Sequence, residues 1–313
     1  MDRTSFRYVV TLFAERVSAE ALESVRTYLQ SQSVKILSEK QLHQTEFHRI
    51  EIIIEDSRNF STQLLSDRMD LLELADRLKV DIALQKERAY FRKKSILVMD
   101  IDSTLIQNEI IDELAKERGV FSEISAITQQ AMEGKIDFDE SLKRRCAQLK
   151  GLTRADLDRV YSRLVFTPGA LELISGAKKL GYKIGILSGG FSFVSDRLKK
   201  QLGLDYAFAN SLEFSGDLVT GTVIPPVINA QKKADFLEQI ALRENAHPEN
   251  TIAIGDGAND VLMLKRSGLG IAFNGKAVLK KAAHLALNQP SLRSVLFLMT
   301  HSPEELGRAL RRA

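Results

Sequence analysis

Ser95-Ile96-Leu97-Val98-Met99-Asp100-Ile101-Asp102-Ser103-Thr104 is a short apolar run that stops on two carboxylates two positions apart. Within the run 95–99, residues 96–99 are continuously apolar, the pattern of a strand buried on both faces. Three more runs behave alike: 183–187 before Ser188, 251–254 before Gly255-Asp256, and 269–273 before Asn274. Stretches with helical spacing, 170–180, 194–202 and 232–242, lie between them. Alternating strand and helix predict a doubly wound α/β domain with a mostly parallel sheet. In such sheets ligands bind beyond the carboxyl ends of the strands. Three of the four runs end there in residues suited to phosphate or metal chemistry.

The interval between 99 and 183 is too long for one crossover helix. Residues 108–118, 122–132, 139–149 and 154–163 carry helical periodicity and caps, which predicts a helical bundle inserted over about 108–165 as a cap on the strand ends. Residues 207–223, centred on Ser215-Gly216-Asp217, read as a β-hairpin. Upstream, 8–13, 34–43, 47–55 and 80–85 read as strands, with Ile50, Ile52 and Ile54 alternating with Glu51, Ile53 and Glu55. Residues 19–29 and 61–78 read as helices, the second with Leu65, Met69, Leu72 and Ala75 at a spacing of three or four. The order βαββαβ is the ferredoxin-like α+β pattern. The charged stretch 86–94 reads as a connection, giving expected domains of 1–88 and 89–313.

Composition narrows the classes. The formal charge of +3, from 44 basic and 41 acidic side chains in 313 residues, gives no reason to expect nucleic acid. A single cysteine, Cys146, excludes an internal disulfide framework and fits a small apolar residue inside the bundle. No run approaches the roughly 18 apolar residues of a spanning helix, and Met1-Asp2-Arg3-Thr4 leads into an alternating segment rather than a signal-peptide core. The expected location is the cytoplasm, with no membrane partner.

Two carboxylates crowded at a strand end are unfavourable unless a cation or a shared proton offsets them. With Mg²⁺ present, Asp100 can serve as oxygen ligand and as nucleophile toward phosphorus. Asp102 is then positioned to protonate the leaving alkoxide and to activate water. The plainer alternative is a capping Asp followed by a turn Asp. In Gly255-Asp256-Gly257-Ala258-Asn259-Asp260 the glycines allow close backbone approach and Asp256 offers a hard oxygen ligand, with Asp260 in support. Ser188-Gly189-Gly190 supplies a hydroxyl and backbone N–H groups for an anion. A lysine opening the helix near 232 would neutralise phosphate charge, and position alone does not choose between Lys232 and Lys233.

Asp-Ile-Asp-Ser-Thr, Leu-Ser-Gly-Gly, the helix-opening lysine and Gly-Asp-Gly-Ala-Asn-Asp, in this order, resemble the haloacid dehalogenase superfamily, and within it the phosphoserine phosphatase family, over roughly residues 94–289. The resemblance implies Asp100 as nucleophile and Asp102 as acid and base. It implies Mg²⁺ on Asp100, the main-chain carbonyl of Asp102 and Asp256, and phosphate contacts from Ser188, Gly189 and Lys233. Lys233 is chosen because it directly precedes Ala-Asp-Phe-Leu, as the family's lysine precedes its helix. For the amino-acid part, the resemblance implies Glu109 on the substrate ammonium, Arg145 on its carboxylate and Asn259 in contact, with Met132 and Phe138 shielding the site. A guanidinium and a carboxylate converging on one ligand suit a zwitterion. The implied reaction is hydrolysis of O-phospho-L-serine, the last step of serine biosynthesis. The alternatives are a phosphatase for another small phosphate ester, or an amino-acid sensor with a vestigial catalytic domain. The N-terminal unit resembles the ACT-type regulatory modules in element order. It departs from them at Ala14-Glu15-Arg16-Val17-Ser18, where that family usually carries glycine, and the resemblance implies a homodimer through an exposed sheet edge.

Overall fold

In the computed structural model, which describes residues 6–43, 47–56, 60–300 and 302–311, the chain opens on β1 (Phe6–Ala14), whose inner residues are buried. Residues 1–5, on which the reading of the N-terminus rests, and the side chain of Leu65 lie outside the described residues. In α1 (Ala19–Ser31) the Ser18 hydroxyl caps the first turn by accepting from the Ala21 N–H. Its buried Ala21, Leu22, Val25 and Leu29 form one helical stripe. β2 (Lys35–His43), β3 (His48–Asp56), α2 (Phe60–Leu78) and β4 (Asp81–Lys86) complete a βαββαβ order. Their strands pair antiparallel in the sequence β2-β3-β1-β4.

Ile50, Ile52 and Ile54 are buried in one core with the face of α1. The alternation leads one to expect solvent on the other side, yet Arg49 and Glu51 are buried too. Their cover comes from the far end of the chain: Arg49 Nη1 donates to the carbonyls of Phe297 and Thr300, both at 2.8 Å. The stretch read as a connection holds a one-turn helix, α3 (Glu87–Phe91), whose Tyr90 hydroxyl bonds Glu51 at 2.5 Å.

The second unit starts with β5 (Ile96–Met99). Between it and β6 (Lys183–Phe191) come α4 (Ile110–Arg118), α5 (Phe121–Met132), α6 (Phe138–Gln148), α7 (Arg154–Ser162) and α8 (Ala170–Lys179). Then follow α9 (Ser192–Leu202), β7 (Tyr206–Ser215), β8 (Leu218–Ile224), α10 (Ala230–Arg243), β9 (Thr251–Gly255), α11 (Val261–Arg266), β10 (Leu269–Phe273), α12 (Ala277–Ala282), β11 (Leu285–Leu287), α13 (Val295–Met299) and α14 (Pro303–Leu310). The strand order is β11-β10-β9-β5-β6-β7-β8, parallel as far as β7, with β8 returning antiparallel. β5 lies between β9 and β6 with all four side chains buried, which explains its unbroken apolar run. β6 runs on through Ser188-Gly189-Gly190 to Phe191, so these residues extend the strand. The register against β7 breaks between Leu187 and Phe191.

The two sheets are continuous. β4 pairs with β11 at Ala83 and Leu285, joining eleven strands. Beside that join, Asp81 accepts from the Asn288 N–H, Asn288 Nδ2 and Gln289 Nε2 at 2.9–3.1 Å. Arg49 fastens the same junction and pairs with Glu51 at 3.1 Å. Removing one member of a buried ion pair leaves the other charge uncompensated, at a cost of about 3 kcal/mol. Arg49→Ala is therefore expected to lower the unfolding free energy from a urea titration by about 3 kcal/mol, and an unchanged value would mean the junction carries no net stability.

Candidate active site

Asp100 begins where β5 stops. Its N–H bonds the Ile254 carbonyl of β9 at 2.9 Å, its Oδ1 accepts from the Ile101 N–H at 2.7 Å, and its Oδ2 lies 2.8 Å from Lys233 Nζ. The chain then turns sharply, with Ser103 in the left-handed region at φ 53°. That turn sends the Asp102 carboxylate to the start of α4, where Oδ1 accepts from the Ile110 N–H at 2.7 Å. Its Oδ2 accepts from the Ser188 hydroxyl at 3.2 Å, and that hydroxyl accepts in turn from the Gly190 N–H at 2.8 Å. A Cβ on Gly190 would stand 2.7 Å from Asp102 Oδ2 and 3.0 Å from Ser188 Oγ, so only glycine fits. Burial first, and then the charge of Glu109, push the Asp102 carboxyl up to about 7.

Lys233 is fully buried in the first turn of α10, while Lys232 is half-buried. The Lys233 ammonium lies 2.8 Å from Asp100 Oδ2 and 2.8 Å from Asp260 Oδ1. Burial works against its charge, but Asp100 and Asp260 outweigh burial and raise its pKa. Asp100 moves up as well, through burial and the Asp260 carboxylate, against the pull of Lys233. Asp100, Asp256 and Asp260 each offer an oxygen within 4.8 Å of the others. Three carboxylates against one ammonium leave two negative charges, the charge of one divalent cation. Hard oxygen donors at this separation suit such an ion. Burial first, and then the Asp260 carboxylate, push Asp256 up to about 6. The Asp102 carboxylate is not part of this cluster, since its oxygens are engaged by Ile110 and Ser188. Gly255 closes the arrangement, because a Cβ there would collide with the Asp260 carboxylate.

Above these acids opens a cavity of about 930 Å³. Asp100, Asp102, Gly189, Asp256 and Asn259 line it together with Glu109, Met132, Phe138 and Arg145. Ser188, Lys233 and Asp260 are buried behind this lining rather than on it. Glu109 precedes α4 and accepts from the Ser103 hydroxyl at 2.8 Å. Arg145 is half-buried on α6, and burial pulls its pKa down against Cys146, Asp112, Glu109 and Asp102. Met132 ends α5 with 73% of its surface exposed, so it stands at the rim.

Some residues of the site carry no signal that spacing could reveal. Lys276 lines the cavity, and its N–H bonds the Asp256 carbonyl at 2.9 Å. Asn229 Oδ1 accepts from the Lys232 N–H as the cap of α10, while its Nδ2 donates to Asp139 of α6 at 3.1 Å. Asn229 was findable as a helix cap, but its reach to α6 was not.

Over residues 94–268 the sequence matches the haloacid dehalogenase-like hydrolase family. The chain belongs to that family. A phosphoserine phosphatase from Archaeoglobus fulgidus is 49% identical over 72% of this chain and 65% of its own length. The chain spans between 56% and 65% of the length of the first curated relatives it matches, all called phosphoserine phosphatases. Among solved structures, a haloacid dehalogenase family hydrolase from Salmonella enterica serovar Typhi superposes with a TM-score of 0.77 at 32% identity, over 93% of this chain and 98% of that one. A phosphoserine phosphatase captured as a phospho-aspartyl intermediate analogue is 42% identical, with a TM-score of 0.63 over 67% of this chain and all of that one.

The carboxylate cluster leads to a direct test. Loss of even a supporting partner typically weakens a metal site about tenfold or more. Asp256→Asn is expected to weaken Mn²⁺ binding by at least that factor in calorimetry. Unchanged affinity would mean the cation binds elsewhere.

Proposed function

We propose that the protein is a Mg²⁺-dependent phosphoserine phosphatase that works through an aspartyl-phosphate on Asp100, at the last step of serine biosynthesis. One observation carries the reading. A single cavity is lined both by the strand-tip acids Asp100, Asp102 and Asp256 and by a carboxylate and a guanidinium, Glu109 and Arg145. That pairing suits a ligand with phosphate at one end and an amino-acid zwitterion at the other. The substrate of the relatives, as their names give it, has this form.

In this reading Asp100 Oδ1 or Oδ2 attacks phosphorus as the serine oxygen departs. Lys233, 2.8 Å from Asp100, favours the ionised form of the nucleophile and offsets the incoming phosphate charge, with Ser188 and the Gly189 N–H as further donors. Asp102, whose carboxyl is raised to about 7, gives its proton to the serine alkoxide and then takes one from the water that cleaves the phospho-aspartate. Asp100, Asp256 and the Asp102 carbonyl would hold Mg²⁺, with Asp260 in support, and the ion would neutralise phosphoryl oxygens when bound. Glu109 takes the substrate ammonium, Arg145 its carboxylate, and Asn259 contacts the ligand, while Met132 and Phe138 exclude water. The helices α4 to α7 serve as the cap. The βαββαβ unit serves as a ferredoxin-like module of ACT type over residues 1–88, with a homodimer through its free edge strand β2 and residues 89–313 as the catalytic domain. No helix among the described residues is long and apolar enough to cross a membrane, which is compatible with work in the cytoplasm.

Two measurements test the reading. Asp100→Asn is expected to abolish turnover of phosphoserine, and substantial activity in the purified variant would reject Asp100 as nucleophile. Arg145→Ala is expected to reduce kcat/KM for phosphoserine about a hundredfold and for phosphoethanolamine, which lacks the carboxylate, far less. Equal losses on both would leave Arg145 without a part in reading the amino acid.

A further inference from the structure

The wall of the cavity formed by α6 presents Phe138, Ser141, Leu142 and Arg145, one face of the helix at spacings of three and four. Ser141 is 1% exposed, and its hydroxyl has no hydrogen-bond partner among the described residues. A serine inside a helix ordinarily satisfies its hydroxyl on the carbonyl four residues back. Here that carbonyl, on Asp137, receives only the Ser141 N–H at 3.0 Å. A buried hydroxyl left unpaired is destabilising, so its presence on a cavity wall points to a partner that arrives with the ligand. Arg145 stands one turn further along the same face, with its Nε 3.3 Å from the Ser141 carbonyl. A carboxylate held by a guanidinium retains lone pairs able to accept from a hydroxyl.

We infer that Ser141 is a further specificity residue, donating its hydroxyl to the substrate carboxylate bound by Arg145. The inference rests on the reading of Arg145 given above and adds a donor to the same end of the ligand. Ser141 touches no reacting atom in this account, so its contribution is to uniform binding and falls on KM rather than kcat.

The test is Ser141→Ala, a change that helices tolerate well. KM for phosphoserine is expected to rise, and the ratio of kcat/KM for phosphoserine over phosphoethanolamine to fall about tenfold or more, as loss of one hydrogen bond to a charged group predicts. Without ligand the melting temperature is expected to hold or rise, because an unpaired hydroxyl has been removed. An unchanged ratio would overturn the inference, as would a lower melting temperature with equal losses on both substrates. If the parent enzyme itself shows no preference for phosphoserine over phosphoethanolamine, the reading of Arg145 fails and takes this one with it. If that preference exists and survives Ser141→Ala, only Ser141 is excluded.

Discussion

The buried Lys233 ammonium, 2.8 Å from both Asp100 and Asp260, ties three separate segments into one site. Asp100 comes from the tip of β5, Asp260 from the turn after β9, and Lys233 from the first turn of α10. An isolated lysine at this depth would give up its proton, and either carboxylate alone would take one. The ammonium offsets part of the negative charge of the two carboxylates, and the cluster of Asp100, Asp256 and Asp260 suits a divalent cation. The orientation of α10 matters for the same reason. Asn229 caps that helix and also reaches Asp139, so the element that carries the lysine is bonded to the helical wall opposite.

Pre-organisation here depends on backbone packing as much as on charge. Gly190 lets the extension of β6 pass close to Asp102, and Gly255 does the same beside Asp260. Each carboxylate is thereby held by fixed N–H donors: Ile101 on Asp100, Ile110 on Asp102 and Gly257 on Asp260. Groups oriented before a ligand arrives cost no reorganisation during reaction. The cavity above them is several times larger than an amino-acid phosphate, and its rim carries the exposed Met132.

The acids at the strand ends were legible because each directly follows an apolar run, and a parallel sheet brings such ends together whatever the loops do. Asp100, Asp102 and Asp256 illustrate this: far apart or not in sequence, they line one cavity. Lys233 was a different matter. Spacing could not separate it from Lys232, and family resemblance made the choice; the structure buries the one and half-exposes the other because successive helical residues point about 100° apart. Three features stayed hidden for want of a local pattern. The pairing of β4 with β11 rests on one residue pair, the burial of Arg49 needs carbonyls some 250 positions downstream and that of Glu51 needs Arg49 and Tyr90, and the unpaired hydroxyl of Ser141 is visible only when its surroundings are known.

Identification of the residue that carries the phosphoryl group tests the central claim most directly. Enzyme mixed with phosphoserine, quenched in acid during turnover, digested and sequenced by mass spectrometry, is predicted to yield one phosphorylated peptide with the added mass on Asp100. A phosphoryl group on another side chain, or none at any time while serine is being released, would contradict the account.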